Sequence, residues 1–563
     1  MQDRRSYRGF IVLVLVVLVA GPWAIAAGPT AAPAADQGPV PQVRLGVIIV
    51  VDQLRADLLT RYGRWFGPDG FNRLIKDGAY YPNAYYTYGA NSTAVGHATI
   101  ATGRLPRQHG IVNNEWFLDP ESKKPEYTVL DKDVQPVGAT AEEKVKGYSP
   151  RYLIGPTIGD TLKLADRRSR VFSVSLKPRA AIMLGGQNPD AAFWWDRNTG
   201  KFVTSTWYAK ELPAYIAEFN TSHTADKFLN TMWEPMLPEA AYAGCRPVDP
   251  KWITYDYGVG PSFPHRLNKV EGKPVGKPYD CFYGSPTGND FVLDIASRVL
   301  TNEKLGQGPA PDLLCVSFSA NDIVGHIFGP DSAEYMDMTV RTDGQIAALL
   351  KRLDAAVGLD HCMVVLTGDH GVAPMPEVQA ARKMPGGRMP PGIVQKTVLA
   401  ALTEKYGDGK WLLGSSEAGL YLNLDLVRQK KLDRAEVDRA AAEAAATVPH
   451  VFRVFPRELL ASGVQMEEQV GRLVRNGFYA PRSPDVSILL EPYWLAQSGG
   501  TSHGTTFGYD TPVPVIFMGP GIRAGRVNSA VAVNDIAPTL ATYLAVETPS
   551  GSVGRCLSEI FAE

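Results

Sequence analysis

Five short apolar runs constrain this chain more than anything else in it. They are Val43–Val51, Arg170–Ser175, Leu313–Phe318, Cys362–Leu366 and Pro514–Met518. Each is too short for a helix of ordinary length and apolar on both of its faces. Such runs suit the strands of a parallel sheet covered by helices on each side. Helical spacing lies between them, at Asp69–Asp77, Phe291–Leu300 and Glu334–Ala355. Asp433–Thr447 is Ala-rich and starts on an Asp suited to capping. Alternation of strand and helix predicts an α/β fold.

Length then sets the organisation. At 563 residues the chain exceeds one small domain, and two stretches break the alternation. Residues 186–289 are rich in Pro, Gly and aromatics, and residues 373–497 mix helices with a few strand-like runs. Both are expected to be insertions capping a catalytic core made of 43–185, 290–372 and 498–563.

The first 26 residues read as a signal peptide. Arg4, Arg5 and Arg8 precede the apolar segment Phe10–Ala20, and Ala24-Ile25-Ala26 fits a small-residue cleavage site. A Pro/Ala-rich spacer, 27–42, follows. Export to the periplasm or the medium is expected; an uncleaved membrane anchor is the competing reading. Lys+Arg 57 against Asp+Glu 58 excludes a nucleic-acid partner held by bulk positive charge. The five cysteines have no C-x-x-C spacing, so no thiolate zinc cluster is indicated. Cys245 and Cys281 flank one polar stretch, and both a bridge and two thiols remain open there.

Open α/β sheets place their sites beyond the carboxyl ends of strands. Asp52 follows VIIVV. Asp322 and His326 follow LLCVSFSAN, and Asp369-His370 follows CMVVLTG. His503 lies in the Gly-rich SGGTSHGTT. One such residue alone would be a cap or a hydrogen-bond partner. Three carboxylates and three imidazoles together form a mixed oxygen and nitrogen set suited to zinc or a similar divalent metal. Six ligands suffice for two ions. Asp369 and His370 leave a strand in different directions, so the dipeptide can serve both.

The segment NSTAVGHATIATG, Asn91–Gly103, carries small residues through a helical stretch closed by glycine. Ser92 or Thr93 falls at its N-terminus, where free N–H groups hold a phosphate. Plain N-capping is the other reading.

These segments, in this order, resemble the alkaline phosphatase superfamily: VDQLRAD, NSTAVGHATIATG, SANDIVGH, TGDHG and SHGT. The C-terminal stretch TPVPVIFMGPG…VNDIAPTLATYL is similar to that superfamily's closing strand and helix. The resemblance implies a three-layer α/β/α sandwich with a mostly parallel central sheet. It implies Thr93 as nucleophile and two Zn2+ per chain. One zinc would lie on Asp322, His326 and His503, the other on Asp52, Asp369 and His370. His97 would be structural. Lys177-Pro178-Arg179 resembles the bacterial exported, monomeric, Thr-nucleophile alkaline phosphatases, in which such a pair contacts phosphoryl oxygens. Asn114 matches a phosphate-binding Asn, with Asn113 one register away. The implied activity is hydrolysis of small-molecule phosphate monoesters through a phosphothreonine. The alternatives are a phosphodiesterase or nucleotide pyrophosphatase of the same superfamily, and a non-catalytic exported metal- or phosphate-binding protein. The sulfatase signature is missing at Thr93–His97.

Overall fold

The computed structural model describes residues 43–118, 125–253, 255–270, 276–464 and 466–562. The expected signal peptide and spacer lie outside the described residues. Among those residues no helix is long and apolar enough to cross a membrane.

All five apolar runs are strands of one sheet. In chain order its first members are β1 (Leu45–Val51), β2 (Ala79–Tyr85), β3 (Pro136–Val137), β4 (Val171–Ser175), β5 (Ala191–Asp196), β6 (Lys201–Ser205), β7 (Asp312–Phe318) and β8 (Cys362–Thr367). A separate four-stranded sheet follows: β9 (Leu412–Ser416), β10 (Gly419–Leu422), β11 (Val451–Pro456) and β12 (Val486–Leu490). The chain then returns to the first sheet with β13 (Pro512–Met518), β14 (Gly525–Arg526) and β15 (Val531–Ala532). The large sheet runs β14-β2-β13-β8-β1-β7-β4-β5-β6-β3, with β15 beside β2.

Strands β8, β1, β7, β4 and β5 are mutually parallel. Both their faces are buried because side chains alternate. Leu45, Val47, Ile49 and Val51 of β1 join one apolar cluster, and Ile48 and Val50 join the other. The first cluster takes its cover from helices Pro286–Asn302 and Ala333–Val357, the second from Thr93–Thr102, Pro178–Gly185 and Ile536–Tyr543. This is a three-layer α/β/α sandwich.

Two expectations need correction. The stretch 186–289 does not begin as an insertion. β5 pairs in parallel with β4, and β6 returns beside it, so the sheet continues through Ser205. Trp194 and Trp195 are therefore strand residues facing opposite clusters. The run at 514–518 is also not parallel to its neighbours: β13 lies antiparallel to both β8 and β2. Composition reports burial on two faces and is silent on direction. The capping Asp is as expected, with the Asp433 side chain accepting from the Glu436 N–H. All five cysteines are thiols, and Cys245 Sγ lies 3.6 Å from Met336 Sδ.

Helix Thr93–Thr102 is pressed against the loop after β8. A Cβ placed on Gly96 would stand 2.2 Å from the Asp369 carbonyl oxygen, well inside contact distance. Gly103 closes the helix at φ +66°. Gly96→Ala should cost about 1–3 kcal/mol through overpacking, read as a lower urea midpoint. A wild-type midpoint would show that the helix has room to move.

Candidate active site

Strand register builds the site. Val51 pairs with Phe318, Val50 with Thr367, and Ser317 with Ser175. Four parallel strands therefore end abreast, and the Asp52 N–H continues the ladder to the Phe318 carbonyl at 3.0 Å. Asp52, Asp322, Asp369-His370 and Lys177 all leave from that one edge.

All six expected ligands meet there. The nitrogen His370 Nε2 lies 3.5 Å from Asp52 Oδ1 and 3.4 Å from Asp369 Oδ2. These three atoms are buried and have no hydrogen-bond partner among the described residues. Ligands at ~2.1 Å around a tetrahedral zinc stand about 3.4 Å apart along each edge. The donor set and its spacing thus fit a divalent cation. Asp322 Oδ1 gathers the second group, 3.2 Å from His326 Nε2 and 3.5 Å from His503 Nε2.

Each imidazole is oriented from behind. The Nδ1 atoms of His326, His370 and His503 lie 2.7, 3.0 and 2.7 Å from the carbonyl oxygens of Thr501, Gly371 and Asn91. Donation from Nδ1 to a carbonyl fixes the tautomer and presents the Nε2 lone pair to the site.

The division into two triads differs from expectation in one respect. The tightest groups are Asp52, Asp369, His370 and Asp322, His370, His503. The His370 ring stacks on His503 with centroids 3.5 Å apart, so it borders both groups. His326 reaches Asp322 Oδ1 through Nε2, and its ring lies 5.1 Å from that of His503.

Burial dominates the electrostatics. It pushes the Asp52 carboxyl well above its usual range, with Asp369 adding to the rise. Asp369 is pushed up to about 6 by the same loss of solvent. Burial also opposes ionisation of Asp322, but His326 and Lys177 outweigh it and hold that carboxyl well below its usual range. Lys177 is fully buried, its Nζ 2.7 Å from Asp52 Oδ2 and 2.5 Å from Asp322 Oδ2.

Geometry separates Ser92 from Thr93. Ser92 is the N-cap residue, yet its side chain makes no capping bond and its buried Oγ has no partner among the described residues. Thr93 opens the helix, and its Oγ1 receives Lys177 Nζ and Arg179 Nη2, each at 3.3 Å. Arg179 is braced by the Tyr127 hydroxyl at 3.4 Å. Asn114 Oδ1 accepts from the Ala94 N–H at 3.0 Å, whereas Asn113 only caps the Asn114 N–H. Asn114 is thus the one of the two that bonds to the first turn of helix Thr93–Thr102. His97 lies on this helix, fully buried, its Nε2 2.9 Å from Ser317 Oγ, and burial lowers its pKa to about 4.

Sequence reasoning missed Gln53. Its Nε2 donates to Asp322 Oδ1 at 2.8 Å and its N–H to Asp369 Oδ1 at 2.9 Å. The residue adopts φ +68°, a costly conformation for a side chain with a Cβ. Tyr335 Oη holds its carbonyl at 2.7 Å. Adjacency to Asp52 was the one signal available. Tyr127 was also missed, and no motif marks it.

A family model described as type I phosphodiesterase / nucleotide pyrophosphatase matches residues 46–510. The alkaline phosphatase PafA of Elizabethkingia meningoseptica is 34% identical over 529 residues, spanning 92% of this chain and 95% of that protein. Alkaline phosphatase PhoV of Synechococcus elongatus is 33% identical over 524 residues, spanning 92% and 93%. The crystal structure of wild-type PafA superposes with a TM-score of 0.85 at 33% identity, spanning 93% of this chain and 100% of that one. By motif order, fold and extent of match, the chain belongs to the type I phosphodiesterase / nucleotide pyrophosphatase family of the alkaline phosphatase superfamily.

Proposed function

We propose that this protein is an exported, monomeric, zinc-dependent alkaline phosphatase that hydrolyses small-molecule phosphate monoesters through a phosphothreonine. The convergence of Lys177 and Arg179 on Thr93 Oγ1 carries the reading. A monoester dianion has three charged non-bridging oxygens, and a diester has fewer. The buried Lys177 and the half-buried Arg179 beside the nucleophile suit the dianion. A second ester group there would leave them desolvated and unpaired. The curated relatives named alkaline phosphatases support the same choice.

Thr93 Oγ1 attacks phosphorus in line, and the bond to the leaving alcohol breaks. Lys177, Arg179 and Asn114 hold the phosphoryl oxygens, aided by the helix N-terminus. Water then attacks the phosphothreonine, releasing phosphate and restoring Thr93. Two zinc ions, held by Asp52, Asp369 and His370 and by Asp322, His326 and His503, would supply Lewis-acid charge that lowers the pKa of bound hydroxyl groups and stabilises the leaving oxygen. The diesterase reading is favoured by the name of the matching family model. The two activities are separated by assaying an aryl phosphate and a bis-aryl phosphate side by side at pH 8–9.

Thr93→Ala should lower monoesterase turnover by at least about 10³-fold with zinc content unchanged near two per chain. Full activity in that variant would remove the nucleophile. Lys177→Ala with Arg179→Ala should depress monoesterase roughly 10²-fold more than diesterase; equal losses would favour the diesterase. Dialysis against chelator should abolish turnover and added zinc restore it, and activity that survives verified metal removal would end the two-metal reading.

A further inference from the structure

Beyond the buried site lies a cleft of about 790 Å³, a size suited to small molecules. Asn114, His326 and His503 line it, and Thr93, Lys177 and Arg179 do not. It therefore opens on the Asp322 side of the site, away from the nucleophile, where a departing alcohol would sit. Its walls come from three distant parts of the chain: Glu115 beside Asn114, Tyr255 and Tyr257 from the aromatic stretch, and Glu417 from the turn between β9 and β10.

The charge of these walls is one-sided. Among the described residues lining the cleft there is no lysine or arginine, and the carboxylates are Glu115 and Glu417. Glu417 is held in place: its Oε1 accepts from Gln497 Nε2 at 2.8 Å and Ser502 Oγ at 2.9 Å. Among the described residues, Oε2 accepts nothing. Burial raises the Glu115 pKa, the nearby Arg179 charge opposes the rise, and the Glu417 charge adds to it.

The tyrosines are braced from behind. Their ring centroids lie 4.6 Å apart. Tyr255 Oη donates to Asp280 Oδ2 at 2.7 Å, and Arg197, paired with Asp280, lies 5.5 Å over the Tyr257 ring. Arg197 takes one face of Tyr257; aromatic rings combined with carboxylates, in a lining without lysine or arginine, recognise ammonium groups.

We infer that this cleft selects phosphate monoesters whose alcohol carries an ammonium group. The inference rests on the phosphomonoesterase reading above. Such a substrate is zwitterionic. Its phosphoryl dianion goes to Lys177 and Arg179, and its ammonium goes to Glu115, Glu417 and the tyrosine pair. An alcohol bearing a second anionic group meets two carboxylates and is rejected.

The test compares phosphocholine with 3,3-dimethylbutyl phosphate, which replaces the quaternary nitrogen by carbon. The quantity read is the ratio of their kcat/KM values in the wild type, Glu115→Gln, Glu417→Gln and the double variant. Intrinsic differences in leaving-group acidity cancel in this comparison. So does any disturbance of His503 transmitted through Ser502, since it scales both esters alike. Each single variant should lower the ratio about threefold and the double variant about tenfold, with the wild-type ratio shrinking as salt rises. Hydrolysis of both esters with an unchanged ratio in the double variant overturns the inference alone. A zinc-loaded wild type that hydrolyses neither ester overturns the phosphomonoesterase reading and this inference with it.

Discussion

Three carboxylates buried within a few ångströms of one another are the constraint on which this structure turns. Asp52, Asp322 and Asp369 are each at most 1% exposed. A like-charge pair ~4 Å apart in a polarisable interior repels by about 4 kcal/mol. Such a cluster persists only where positive charge is supplied locally. Lys177 supplies one charge, bridging Asp52 and Asp322, and Arg179 stands behind it. The atoms left over, Asp52 Oδ1, Asp369 Oδ2 and His370 Nε2, are the ones a metal would satisfy. The near-zero net charge of the chain conceals this concentration of opposite charges.

The parallel strands hold that cluster together. No element of the site is rigid alone: Asp52 and Asp369 leave on loops, and Gln53 sits in a strained conformation between them. Four strand ends in register give these loops a common origin. Backbone carbonyls at Asn91, Gly371 and Thr501 then fix the imidazoles. Asn91 also precedes the nucleophile helix, so the bond to His503 links a ligand loop directly to the base of Thr93.

Much of this was legible in the residues. Apolar runs marked the strands because burial on two faces leaves a compositional trace. The ligands stood out because Asp and His directly after such runs are poor loop filler. Strand direction was not legible at β13, since antiparallel and parallel central strands share the same composition. Nor was the place of β5 and β6, whose Trp- and Phe-bearing sequence resembles an aromatic cap as readily as a strand. Gln53 and Tyr127 act through hydrogen bonds to charged partners, and neither residue type announces that role. The residues alone left Ser92 and Thr93 open and the resemblance chose Thr93; Lys177 and Arg179, which point at its Oγ1, follow a strand far away in sequence.

The position of β13 has a consequence for how such a molecule is made. β2, whose chain leads on to Thr93, touches the parallel strands only through β13. β13 lies near the other end of the polypeptide, just after His503. A ribosome must therefore finish almost the whole chain before β2 has a strand to pair with. Until then the parallel strands β8, β1, β7, β4 and β5 can pair among themselves, but β2 has no strand beside it. The edge of the sheet that leads to Thr93 is thus closed by the last part of the chain to be made.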